Sequence, residues 1–227
     1  MKTPVFEGSA VAIVTPFDDE GKVNYEKFHS LVDMQIAGGT SAIVVCGTTG
    51  EKSTLNDSEH LSLVKDCARY VNGRCKVIAG TGSNDTAYSL HLCQEAEQCG
   101  VDGLLVVTPY YNKTSQRGLI KHYTFLADRV NTPIILYSVP SRTGMRISIP
   151  ALKELSQHPL INGLKDANSD IEGVVGTIAA CGDNLNVYSG NDAEIVPMMA
   201  MGAMVITATS MKTPHAVRAR ELTASAR

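Results

Sequence analysis

The stretch Leu160-Ile-Asn-Gly-Leu-Lys-Asp-Ala167 begins apolar and carries Lys165 near its C-terminal end. Burying an ammonium is costly unless it is paired or gives up its proton. Two readings satisfy that constraint. The head group could reach water or a salt-bridge partner, or it could be an amine of lowered pKa that attacks a carbonyl and forms a Schiff base. Other polar residues stand where further apolar runs end. They are Thr48 and Thr49, Tyr110 and Tyr111, Tyr137 and Arg142, and a glycine at 190. This set holds hydroxyls, one amine and one guanidinium, with no carboxylate pair and no histidine or metal-ligand cluster. It suits imine formation with an anionic keto acid: the amine attacks, a phenol shuttles protons, and hydroxyls with backbone N–H groups hold a carboxylate. Singly, each residue has a plainer reading: a core tyrosine, a Gly-Thr-Thr-Gly turn, a surface ion pair for the arginine.

These side chains need a scaffold, and the chain alternates strand and helix along its length. Apolar runs predict strands at 9–15, 42–46, 76–80, 103–108, 133–139, 160–167, 186–190 and 205–209. They are continuous rather than alternating, as expected for a parallel sheet buried on both faces. Between them lie helix signals. Asn24 precedes Phe28, Leu31, Val32 and Ile36 at helical spacing, and Gly38-Gly39 ends that run. Asn56 with Glu59 forms a capping box. A third helix runs from about Asn84 to Gln98, Ser115 caps a fourth, and Pro150 lies in the first turn of a short one. Eight strand–helix units predict an α/β fold of the (β/α)8 barrel type, one domain over residues 1–227. A doubly wound open sheet is the alternative. Thr15-Pro-Phe-Asp18 after the first strand lacks the glycine-rich phosphate fingerprint such a sheet usually carries. In a barrel, reacting side chains collect at the C-terminal strand ends, where all the residues above stand.

Composition narrows the function classes. The 227 residues are 44% hydrophobic and 19% charged, with a formal net charge of −3. That gives no electrostatic footprint for nucleic acid or an anionic membrane. No apolar run approaches the ~20 residues that span a bilayer, and the N-terminus lacks the apolar core of a signal peptide, so a cytoplasmic protein is expected. The six cysteines, at 46, 67, 75, 93, 99 and 181, have neither CxxC nor zinc-ligand spacing and read as buried free thiols. No metal is inferred.

Four motifs together carry a resemblance: Gly47-Thr-Thr-Gly-Glu51, Thr108-Pro-Tyr-Tyr-Asn112, Tyr137-Ser-Val-Pro-Ser-Arg-Thr-Gly144 and Gly163-Leu-Lys-Asp166. They resemble the signatures of the dihydrodipicolinate synthase family, pyruvate-dependent class I aldolases related to the N-acetylneuraminate lyases, over about residues 5 to 210. The resemblance implies a (β/α)8 barrel that condenses pyruvate with L-aspartate 4-semialdehyde in lysine and diaminopimelate synthesis. It implies no cofactor beyond the covalent imine. Lys165 would form that imine and Tyr137 would be the acid/base. Thr48 would link Tyr137 to Tyr111 of an adjacent subunit, so a homo-oligomer, dimer or tetramer, is implied. Thr48 and Thr49 would hold the pyruvate carboxylate and Arg142 that of the semialdehyde, while the carbonyls of Gly190 and Ile206 would line the site. Another pyruvate aldolase, or an inactive barrel that only binds, are the competing readings.

The chain departs from the family pattern in three places. Ser138 stands where the family usually has asparagine. Met201-Gly-Ala-Met-Val-Ile-Thr207 lacks the usual glycine before the valine. Eighteen residues follow Thr209, so the expectation is an incomplete eighth helix and no C-terminal helical region. The family's inter-subunit lysine site matches Lys52, Ser53, Asp57, His60, Asn84, Tyr88 and Tyr110. Tyr88 replaces a glutamate there and Lys52 adds positive charge, which implies weak feedback by lysine.

Overall fold

The computed structural model describes residues 2–203 and 205–208. Eight short strands form one closed, fully parallel barrel. They are β1 (Gly8–Ala12), β2 (Ala42–Val45), β3 (Lys76–Gly80), β4 (Gly103–Val107), β5 (Ile134–Ser138), β6 (Ile161–Asp166), β7 (Asn186–Ser189) and β8 (Val205–Ala208). Each strand pairs with the next, and the ring closes with Gly8 opposite Val205 and Ala10 opposite Thr207. The open doubly wound alternative is thereby excluded. The incomplete eighth helix and missing C-terminal region expected from the sequence fall outside the described residues.

The helices are α1 (Tyr25–Ala37), α2 (Asp57–Val71), α3 (Thr86–Gln98), α4 (Gln116–Ala127), α5 (Pro140–Thr143), α6 (Ile149–Leu155), α7 (Ile171–Cys181) and α8 (Ile195–Ala200). Side-chain caps start most of them. Asn24 accepts from the Lys27 N–H, Ser115 from Gly118 and Ser148 from Ala151. The Asn56–Glu59 capping box is formed in both directions. Each such cap satisfies an otherwise unpaired helix N–H, and its loss typically costs about 1 kcal/mol. Two helix starts differ from the sequence reading. α3, expected from about Asn84, begins at Thr86, with Asp85 as its cap accepting from the N–H groups of Ala87 and Tyr88. The four-residue α5 was not anticipated; its proline sits at the first turn and Gly144 (φ 67) ends it in the left-handed conformation.

Burial of both sheet faces explains the continuous apolar runs. Residues alternate within each run. Ala10, Ala42, Val44, Ile78, Leu105, Ile135 and Tyr137 pack in one cluster. Val11, Ile43, Val45, Val77, Leu104, Val106, Ile134, Leu136 and Leu164 join the helix side chains Phe28, Leu63, Leu119 and Leu126 in the larger one. Full burial of each such side chain contributes about 1.5–3 kcal/mol. Phe6 stacks on Tyr188 with ring centroids 4.8 Å apart. The chain's first residues strap this end. The Lys2 Nζ donates to the carbonyls of Ser156, His158 and Ile161, each at 2.7 Å, and its backbone N–H donates to Asp183. All six cysteines are free; those at 75 and 99 are only partly buried. Among the described residues no helix is long and apolar enough to cross a membrane.

Candidate active site

Strand pairing puts the two central side chains together. Tyr137 on β5 stands opposite Lys165 on β6, and the Lys165 Nζ lies 4.7 Å from the centroid of the Tyr137 ring. Lys165 is 4% exposed. Burial pulls its amine from 10.5 down to about 8, opposed by the carboxylate of Asp192. At neutral pH the amine is therefore much closer to its nucleophilic form than a surface lysine is. The Tyr137 phenol is pushed the other way. Burial raises it, while the Arg142 charge and a hydrogen bond with Thr48 lower it. It keeps its proton at neutral pH and can hand one over, as an acid/base partner requires.

The amine faces a cavity of about 390 Å³, lined by Thr48, Thr49, Tyr137, Arg142, Gly190 and Ser169 among others. The structure thus brings together six of the eight residues singled out from the sequence: Thr48, Thr49, Tyr137, Arg142, Lys165 and Gly190. Ile206 lies on β8, its backbone in register with Ser189, the residue before Gly190. Tyr111 does not enter this cavity. It is 91% exposed and holds a left-handed backbone (φ 66), costly for a bulky residue. Instead it borders a second cavity of about 400 Å³, which shares Thr48, Tyr137 and Arg142 with the first and adds Lys52, Ser53 and Tyr110.

Local backbone geometry builds this mouth. Cys46, after β2, is left-handed (φ 53) and turns the chain into Gly47-Thr48-Thr49. A Cβ at Gly80 would lie 2.1 Å from the Cys46 carbonyl oxygen, so only glycine lets β3 end there. At Gly190 a Cβ would lie 2.9 Å from both the Ala167 Cβ and the Asp166 carbonyl, and the Gly190 N–H donates to that carbonyl at 2.6 Å. That bond draws the loop after β7 against the end of β6. Arg142 rides on α5, where the Arg142 N–H donates to the Val139 carbonyl. Cys46 also borders the second cavity, yet burial pushes its thiol up to about 12, which removes it as a nucleophile. Ser138, the departure noted in the sequence, donates to the Asn168 side chain at 3.2 Å and accepts from the Ile147 N–H; it ties β5 to the loop after β6. Sequence reasoning missed Ser169, Asn191 and Ser141 in the cavity wall.

A buried strand lysine over a tyrosine, beside a threonine pair and an arginine, is the arrangement the sequence motifs anticipate. The model of the dihydrodipicolinate synthetase family matches residues 5–224. The chain belongs to this family. Among curated relatives, the 4-hydroxy-tetrahydrodipicolinate synthase of Syntrophotalea carbinolica is 46% identical over 216 residues, covering 95% of this chain and 74% of the relative. Among solved structures, a dihydrodipicolinate synthase of Bacillus anthracis superposes with a TM-score of 0.94 at 38% identity, covering 99% of this chain and 77% of that one. The chloride-inhibited dihydrodipicolinate synthase of Acinetobacter baumannii, solved with pyruvate, gives a TM-score of 0.90 at 40% identity, covering 97% and 79%.

Proposed function

We propose that this chain is a Schiff-base lyase that condenses pyruvate with L-aspartate 4-semialdehyde to 4-hydroxy-tetrahydrodipicolinate. The observation that carries this reading is the buried Lys165 amine, lowered to about 8, against the ring of Tyr137 in a polar cavity. The amine adds to the C2 carbonyl of pyruvate, and the resulting carbinolamine loses water with the Tyr137 phenol as proton donor. Loss of a C3 proton gives the enamine, whose C3 attacks the aldehyde carbon. The substrate's own amine then adds to C2 and expels Lys165, closing the ring and freeing the enzyme. The protonated imine is itself the electron sink, so the reading calls for no cofactor or metal. Thr48 and Thr49 hold the pyruvate carboxylate. Borohydride reduction in the presence of pyruvate, followed by peptide mass spectrometry, tests the first step; an adduct absent from Lys165, or mapped to another lysine, would end the reading.

The exposed Tyr111 and the second cavity support a homo-oligomer, a dimer or tetramer, in which Tyr111 of one copy reaches the Thr48–Tyr137 pair of another. The same reading places the protein in the cytoplasm. Gly190 and Ile206 would contribute backbone carbonyls.

Arg142 presents a planar fork that suits a carboxylate. Arg142→Ala is expected to lower kcat/KM for the semialdehyde by about 10- to 100-fold, the range for a lost charge-assisted hydrogen bond, with much less effect on pyruvate adduct formation. Equal loss in both steps would make Arg142 structural or a pyruvate ligand.

Lysine feedback should be weak. The Tyr88 hydroxyl donates to Asp57 at 2.5 Å, so the nearest replacement for a missing glutamate is already engaged. The Lys52 ammonium donates to the Gly82 carbonyl and sets a positive charge where a cationic ligand would have to approach. Burial and Lys52 together hold His60 down to about 4, hence neutral. Free lysine at about 1 mM, enough to occupy any site tighter than roughly −4 kcal/mol, is expected to leave the rate unchanged. Saturable inhibition below that concentration would show that another acidic group serves the site.

A further inference from the structure

The second cavity at the barrel mouth holds an amine that the steps above do not use. Lys52 and Arg142 both border this cavity, and among the described residues no carboxylate does. Lys52 opens a short 3-10 turn (Lys52–Thr54) after Glu51, whose backbone is left-handed (φ 56). Its ammonium reaches the loop after β3 and donates to the Gly82 carbonyl. Among the described residues that is its one hydrogen-bond partner, and it has no ion-pair partner there. Asp57, the acid whose charge reaches it, already accepts from the Tyr88 hydroxyl at 2.5 Å. Burial pulls the Lys52 amine from 10.5 down to about 8, against the influence of Cys93, Cys46 and Asp57. Near neutral pH its unprotonated form is then about 300-fold more abundant than that of an ordinary lysine, at tenfold per pH unit. The neighbouring thiols do not compete as nucleophiles, because burial pushes Cys93 up to about 11 and Cys46 up to about 12.

Two like charges share this cavity. Loss of the ammonium proton relieves their repulsion, and an anion in place of the ammonium would turn it into attraction. We propose that Lys52 is a carbamylation site, where the amine takes up carbon dioxide and the resulting carbamate pairs with Arg142. The nitrogen lone pair attacks the carbon of carbon dioxide. A C–N bond forms, one C=O electron pair moves onto oxygen, and one proton passes from the nitrogen to water. No oxidant, reductant or other reactant is required. The hydroxyls of Ser53 and Tyr110 border the same cavity and supply donors for the carbamate oxygens. Lys165, the other amine lowered to about 8, is less suited, because the negative charge of Asp192 acts on it and would oppose a carbamate. The site does not depend on the aldolase reading, since pyruvate takes no part in it.

The test uses the full chain in isotope-labelled bicarbonate at about pH 8, without substrates. Triethyloxonium converts any carbamate to a stable ethyl ester, which peptide mass spectrometry then maps. The label is expected on Lys52, and to be lost in Lys52→Arg, which keeps the charge but not the nucleophile. It should also be lost when the wild type is unfolded in guanidinium before labelling, because Lys52 then returns to the ordinary lysine range. Arg142→Gln is expected to lower occupancy at Lys52 about 10-fold, the range for a lost charge-assisted hydrogen bond. A label no higher on Lys52 than on the surface lysines overturns the proposal, as does a label confined to the N-terminal amine or to Lys165. Equal labelling of folded and unfolded chains overturns it too, because the cavity would then contribute nothing. Unchanged occupancy in Arg142→Gln removes the pairing and the charge argument on which the site stands.

Discussion

Lys165→Met is expected to lose the pyruvate adduct and turnover while making the folded chain more stable. No other group in the described cavity replaces the amine, so the covalent route closes entirely. The stability gain follows from the same burial that activates the lysine. A fall from 10.5 in the unfolded chain to about 8 in the folded one corresponds to about 3 kcal/mol at 1.36 kcal/mol per tenfold change in proton affinity. The sign is that of a depressed base. Below pH 8 both states carry the proton and the folded state bears the full cost of burying it. Between pH 8 and 10.5 the unfolded state binds more protons, so wild-type stability rises with pH and the cost fades. Methionine fills a similar volume without charge. The stability difference between variant and wild type in urea unfolding should be about 3 kcal/mol near pH 7 and shrink as pH passes 8. Imine formation in the wild type should rise with pH through about 8 and then level off. A Lys165→Met chain that is less stable than wild type at pH 7 would mean that the lysine is held by favourable contacts and is no displaced nucleophile.

Tyr137→Phe is expected to keep the fold and lower turnover by roughly 100- to 10,000-fold, the range for a positioned acid/base group. The ring is the larger part of its packing in the barrel interior beside Ile135, Val139 and Leu105, and phenylalanine preserves it. The hydroxyl alone meets Thr48 and feels Arg142. Because carbinolamine dehydration needs the proton donor, adduct trapping should slow as well as turnover. A near wild-type rate would return Tyr137 to the status of a core residue.

Much of this candidate site was legible because its residues break local rules. Lys165 interrupts an apolar strand, and Tyr137, Thr48 and Arg142 stand at strand ends, which a closed parallel barrel gathers at one rim. Strand positions followed from apolar runs of parallel-sheet length, and three helix starts, at Asn24, Asn56 and Ser115, followed from caps. What was hidden depends on distance and on backbone angle. The Ser169–Asn191 bond joins residues 22 apart on different loops, and neither residue type is unusual in a loop. The helix carrying Arg142 is a single turn, too short for periodicity to register. The left-handed angles at Cys46 and Tyr111 occur at residues that rarely adopt them, so composition gave no warning. Which residues of a strand point inward was also hidden, because both faces are apolar.

The grip of Lys2 has a consequence for how the chain comes off the ribosome. Its three carbonyl partners lie 154 to 159 residues downstream, so the first segment made waits for β6, the strand that bears Lys165. Contacts of such separation are slow to close, and synthesis proceeds from the N-terminus at about 5–20 residues per second. For that interval the nascent half-barrel keeps an unpaired strand edge and its apolar strands exposed, and the seating of the amine's strand is deferred until most of the chain has emerged. Lys165 thus joins walls already supplied by β2 and β5, and its cavity is completed only when the loops after β6 and β7, with Ser169 and Gly190, follow.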